Sequence, residues 1–167
     1  RGLGDVYKRQ VLWTRGVDTS LFSPGPKPEW ARSLAAPVVL SVGRVAVEKG
    51  LPDFLGMDMP GTKVVVGDGP ARAKLESEFP DVVFLGAKFG EELAEAYRAA
   101  DVFVFPSKTD TFGLVMLEAL ASGVPVAAYP VMGPVDVIGD APVGSLDDDL
   151  KKAVTTALSI PRESCRT

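Results

Sequence analysis

Residues 101–121 read DVFVFPSKTDTFGLVMLEALA: an apolar run, a polar loop, then a second apolar stretch. After Asp101 every position to Phe105 is valine or phenylalanine, the pattern of a short strand covered on both faces. Leu114, Leu117 and Ala121 recur at helical spacing, so a helix over Leu114–Ala121 would turn that stripe to the sheet. The loop between them, Pro106–Gly113, brings a glycine to the helix start. A buried strand leading through a loop into a sheet-facing helix is one half of a βαβ unit.

The same alternation extends to both sides. Pro37–Val42 (PVVLSV) is a β-branched strand broken by Gly43, followed by a short helix within Lys49–Gly56, where Pro52 is tolerable in the first turn. Thr62–Val66 is a second buried strand, ended by Gly67-Asp68-Gly69, and the helix Ala71–Phe79 stops at Pro80. Val82–Leu85 and Glu91–Ala100 form the third strand and helix. Val124–Ala128 and Ala141–Val143 complete six strand-like runs, and the acidic triplet Asp147–Asp149 starts the last helix, where carboxylates suit the positive dipole end. Strict alternation with doubly apolar strands predicts an α/β, doubly wound parallel sheet of Rossmann-like type with helices on both faces.

Length and composition agree. The 167 residues bound the chain at one ordinary domain, and 46% apolar with 24% charged residues is the usage of a folded globular core. Net charge is −4 with a pI near 4.9, so no nucleic-acid partner is expected. One cysteine, Cys165, excludes an intrachain disulfide framework, and the absence of histidine excludes cysteine–histidine zinc sites and every histidine-based nucleophile system. The longest apolar runs are far short of a membrane span, and a cytoplasmic location is expected.

Domain organisation is read from the ends inward. Residues 1–10 (RGLGDVYKRQ) show neither apolar period and resemble a non-native leader. Residues 11–30 form a linker ending in the proline-rich Ser23–Pro28 (SPGPKP), residues 31–160 the α/β domain, and residues 161–167 a truncated tail.

Two familiar phosphate motifs fail. Gly67-Asp68-Gly69-Pro70-Ala71-Arg72 has arginine where the dinucleotide fingerprint needs its third glycine, and it follows the second strand. Gly43–Gly50 (GRVAVEKG) has Glu48 and Gly50 flanking its lysine where a Walker A loop needs glycine and serine or threonine.

Three loops remain, each at the C-terminal end of a predicted parallel strand, where open α/β sheets hold ligands. The first carries Gly43, Arg44 and Lys49, two cations suited to phosphate oxygens. The loop before Leu114 would present the amides of Phe112, Gly113 and Leu114 to an anion such as a diphosphate. Glu118 lies about five residues into that helix, some 7–8 Å along its axis at about 1.5 Å per residue, within reach of a ribose attached to that diphosphate. Among apolar neighbours its carboxylate requires a partner, either ribose hydroxyls or a buried arginine.

The run PSKTDTFGLVMLEALASGVPV, with Asp110 and Glu118 eight apart around Phe112-Gly113, resembles the E-x7-E motif of the retaining GT-B glycosyltransferases of family four. Arg15-Gly16-Val17-Asp18 with Phe22, then SVGRVAVEKGL, VVVGDGPARAKLE and FLGAKFGEELAEAYRAADVFVFPS, match that family's successive segments in order, from about Val11 to Leu158. The resemblance is to the C-terminal half of the GT-B fold. It implies a UDP- or GDP-sugar donor, with Arg44 and Lys49 on the diphosphate and the backbone of Gly43, Thr111, Phe112, Gly113 and Leu114 around it. Ala87 and Lys88 would hold the base, Glu118 the ribose, and Asp110 the transferred sugar. The family usually has glutamate at the Asp110 position, and aspartate reaches about 1.5 Å less, although TDTFG looks like bacterial mannosyltransferase-like members.

The resemblance further implies a retaining, metal-independent transfer without a cofactor, with Arg44, Lys49 and Asp110 as the catalytic set. A glycan or lipid-linked acceptor would be held by an N-terminal domain missing here. The parent enzyme would then sit peripherally on the inner membrane face, whereas this fragment alone would be inactive and could self-associate through the inter-domain face left open. The competing reading is a non-catalytic nucleotide or phosphometabolite binding module; sugar epimerisation on a related fold is a third.

Overall fold

A computed structural model describes residues 18–46, 49–107, 114–131, 134, 138 and 144–160. Six strands form one sheet: β1 (Val38–Val42), β2 (Thr62–Val66), β3 (Val83–Gly86), β4 (Val102–Phe105), β5 (Val126–Ala128) and β6 (Gly144–Leu146). Their order is β3-β2-β1-β4-β5-β6, and every neighbouring pair is parallel. The helices are α1 (Leu51–Leu55), α2 (Arg72–Glu78), α3 (Gly90–Ala99), α4 (Leu114–Ala121) and α5 (Leu150–Ala157). The predicted elements all have counterparts except Ala141–Val143, which lies outside the described residues; β6 begins immediately after it.

The two faces of the sheet are covered by different helices, because alternate strand residues point opposite ways. Val38, Leu40, Val64, Val66, Phe103 and Phe105 pack with Ala94 and Tyr97 of α3 and Met116, Leu117 and Leu120 of α4. Val39, Val65, Val102 and Val104 pack with Leu51 and Phe54 of α1, Leu75 of α2 and Ala153 and Val154 of α5. The central strands β1 and β4 are therefore apolar on both faces, whereas the edge strand β3 is only half-buried over Val83–Leu85. Asp149 caps α5 by accepting a hydrogen bond from the Lys152 amide at 3.3 Å, which explains why the acidic triplet precedes that helix.

The described part of the segment read as a linker is docked. Asp18 accepts hydrogen bonds from the Ser20 and Leu21 amides, closing a turn that delivers Phe22 into the core. Lys27 pairs with Asp101 at 3.3 Å, and Asp101 in turn accepts a 2.7 Å bond from the Val38 amide. That carboxylate ties the proline-rich stretch to the entrances of β1 and β4. Among the described residues no helix is long and apolar enough to cross a membrane.

Candidate functional site

The sheet order makes β1 the point of reversal: successive strands run outward one way through β2 and β3, and the other way through β4, β5 and β6. The crevice beyond the C-terminal ends of β1 and β4 is the switch point where such sheets bind ligands. The loops around it are fastened by backbone. Gly43 donates from its amide to the Val66 carbonyl at 3.0 Å, Val45 to the Asp68 carbonyl at 3.0 Å, and Gly67 to the Gly86 carbonyl at 2.8 Å. The ends of β1, β2 and β3 thus form one continuous rim.

Two glycines make this rim compact. Gly67 has φ +136° and lies so close to Gly43 that any Cβ would collide with the Gly43 carbonyl. Gly50 has φ +72°, and a Cβ there would collide with the carbonyl of Pro106 at the end of β4. That second approach joins the Lys49 loop to the β4 loop across the switch point. The Gly67-Asp68-Gly69 turn is accordingly a backbone packing device. Arg72, at the position that spoils the dinucleotide fingerprint, pairs with Glu76 at 3.0 Å and Asp68 at 3.4 Å.

Gly43 and Arg44 are exposed on this rim, and Lys49 is half-buried next to Gly50. Ala87 is exposed and Lys88 half-buried beyond β3, with Lys88 paired to Glu92 at 3.7 Å. Leu114 opens α4. Asp110, Thr111, Phe112 and Gly113 lie outside the described residues, as do residues 1–17 and 161–167, on which the expected leader, the start of the linker and the tail fall.

Glu118 is 8% exposed, on the face of α4 turned towards α3. Its partner within the domain is a tyrosine of α3 and not the buried arginine that was one of the two expectations. The hydroxyl of Tyr97 donates to Glu118 Oε1 at 2.8 Å and lies 3.2 Å from the Val115 carbonyl. Burial raises the Glu118 carboxyl above its ordinary range, and the hydrogen bond from Tyr97 works in the opposite direction. Burial, and then the neighbouring carboxylate, push the Tyr97 phenol well above its usual value, so it acts as a donor at neutral pH. Tyr97 went unnoticed because it falls on the apolar stripe of its helix, where a tyrosine reads as core.

Three large apolar side chains are left exposed among the described residues, Trp30, Phe89 and Leu158. They occupy three separate places: a 3-10 turn, the residue before α3 and the residue after α5.

The cations of the β1 loop lie at the strand-order reversal, the end of the sheet at which doubly wound α/β domains hold ligands, and the buried carboxylate is on the helix that leaves β4. Residues 36–159 match the family described as glycosyl transferases group 1, and the chain belongs to that family. It is 43% identical over 154 residues to the GDP-mannose-dependent alpha-mannosyltransferase of Mycobacterium tuberculosis, covering 85% of this chain and 41% of that protein. Over 138 residues it is 41% identical to the sulfoquinovosyl transferase SQD2 of Arabidopsis thaliana, covering 76% of this chain and 27% of that one. Among solved structures, the C-terminal domain of the group 1 glycosyltransferase LpcC from Francisella tularensis superposes with a TM-score of 0.69 at 22% identity, over 90% of this chain and 95% of the other. The fold is therefore the C-terminal half of the GT-B architecture, and the chain spans about two-fifths of the mycobacterial relative's length.

Proposed function

We propose that this domain binds a nucleoside diphosphate hexose, GDP-mannose being the first candidate and a UDP-sugar the second, and forms the donor half of a retaining glycosyltransferase. The observation that carries the reading is Glu118: a buried carboxylate inside the helix that leaves β4, beside a rim carrying Arg44 and Lys49. A carboxylate accepts from paired ribose hydroxyls, and cations take diphosphate oxygens. The resemblance of the chain to a GDP-mannose-dependent enzyme supports the choice of base and sugar.

In this reading the sugar's anomeric carbon is released from the diphosphate, on which negative charge grows. Arg44, Lys49 and the start of α4 stabilise that charge where it develops, without reorganising. The departing phosphate takes the acceptor's proton on the face where the new bond forms, so configuration is retained and neither a metal nor a side-chain base is required. Asp110 would bind hydroxyls of the transferred sugar, and Ala87 with Lys88 the base.

The acceptor, a glycan or a lipid-linked sugar, would be held by a further N-terminal domain, through which the whole enzyme would dock on the inner membrane face. This chain alone binds donor without transferring sugar, and any self-association would use the open rim, where Phe89 is 77% exposed. Calorimetric titration with GDP, UDP, ADP and NAD, without metal, tests the reading. Selective binding of GDP or UDP is expected, weakened at least tenfold by Lys49→Ala or Glu118→Ala, since charge-assisted contacts contribute about 1.5–3 kcal/mol. Unchanged binding in both variants would overturn the site.

A further inference from the structure

Tyr97 sits in α3 with its side chain fully buried. Phe22 meets its ring edge-on, with centroids 5.6 Å apart and planes at 85°, and Phe103 lies tilted against it at 5.9 Å. One of these neighbours comes from the N-terminal segment and the other from β4, so the packing fixes where the phenol oxygen points. It points at α4, 2.8 Å from Glu118 Oε1 and 3.2 Å from the Val115 carbonyl. A phenol has one proton to donate, and the shorter, charge-assisted contact takes it. Phenylalanine would fill the same volume without placing a hydroxyl in the core, where a polar group is unfavourable unless bonded. The hydroxyl therefore serves the carboxylate.

We infer that Tyr97 is a positioning residue, whose hydroxyl holds one oxygen of Glu118 so that the other faces the ribose hydroxyls of the donor. This rests on the donor reading above. Glutamate has three rotatable side-chain bonds, and ordering them only when ligand arrives would weaken binding. A hydrogen bond from an immobile ring removes that cost in advance. Among the described residues only Oε1 is engaged by another side chain, which leaves Oε2 for the ligand. Donation by Tyr97 also favours the ionised carboxylate, the form that only accepts and so suits a pair of donating hydroxyls.

The test compares GDP with 2′,3′-dideoxy-GDP, and UDP with its dideoxy counterpart, by calorimetry on the full chain, on Tyr97→Phe and on Glu118→Ala. The unsubstituted chain should prefer the ribose form by at least tenfold. Tyr97→Phe, which keeps the ring packing, should bind the ribose form about tenfold more weakly and the dideoxy form unchanged. A Tyr97→Phe chain that keeps the full preference while Glu118→Ala loses it would overturn the inference and leave the donor reading standing. Equal weakening of both ligands would make Tyr97 a packing residue only, and overturn it as well. If the unsubstituted chain shows no preference or no binding, or if Glu118→Ala retains the preference, the donor reading fails and takes the inference with it.

Discussion

The Tyr97 hydroxyl donates to Glu118 Oε1 across 2.8 Å, joining α3 to α4 at a point where both side chains are withdrawn from water. The contact spans 21 residues of sequence and unites a side chain that reads as core with one that reads as chemistry. A carboxylate held this way is unfavourable to the empty domain and useful to a ligand that donates hydrogen bonds. That opposition generates the first prediction.

Glu118→Gln keeps the shape and can still accept from Tyr97, but removes the buried charge. Because burial raises the folded-state pKa, the folded chain binds more protons than the unfolded one above the ordinary carboxylate value of 4.5. Stability of the unsubstituted chain must therefore fall, relative to Glu118→Gln, as pH rises from that value through the raised folded one. Thermal melts between pH 4 and pH 8 should show a gap that opens with pH, worth about 2–4 °C for each kcal/mol relieved in a chain of this size. Nucleotide affinity should move the other way, down by about tenfold, as expected where function opposes stability. A gap independent of pH would show that the carboxylate is not ionising in a buried setting.

Gly50→Ala should disturb the crevice from the opposite side. Its φ of +72° disfavours any Cβ by about 1–2 kcal/mol, and the collision with the Pro106 carbonyl adds to that. Gly90, at φ +57°, has nothing within 4 Å of an added Cβ, so Gly90→Ala reports the conformational part alone. Denaturant unfolding should find Gly50→Ala the more destabilised of the two. Equal losses would mean that the β1 and β4 loops are not fastened to each other.

Tyr129 follows β5 and donates to Asp53 Oδ2 of α1 at 2.8 Å. Burial, helped by that carboxylate, pushes its phenol up to about 12 from an ordinary 10.0. The folded chain thus keeps a proton that the unfolded chain loses between those values, and stability is lost as pH rises through that window. Tyr129→Phe should lower stability at pH 7 by about 1 kcal/mol, the net worth of a hydrogen bond, and flatten the alkaline decline between pH 10 and 12. An unchanged alkaline melt would remove Tyr129 as its cause.

Much of the architecture was legible because burial on both faces leaves an unambiguous mark. VVLSV, TKVVV and VFVF have no polar face, and their strict alternation with helices selects a parallel sheet covered on both sides. The boundaries of β2 and α4 fall where periodicity places them, and Asp149 does cap the last helix. Gly67-Asp68-Gly69 was legible as a tight strand-to-helix turn, because Arg72 spoils the phosphate fingerprint, but its close approach to Gly43 was not, since that contact joins two separate strands.

The sequence by itself determined the class of fold, the strands whose C-terminal ends border the crevice, and the need of a glutamate among VMLEAL for a buried partner. Local pattern is sufficient there, because periodicity and desolvation act on neighbouring residues. Only the tertiary structure decided which partner that is. Tyr97 meets Glu118 because α3 and α4 cover the same face of the sheet, with Phe22 and Phe103 aiming the ring between them. A hydrogen bond depends on the distance and direction of two atoms, which the packing of separate elements sets and local sequence pattern does not.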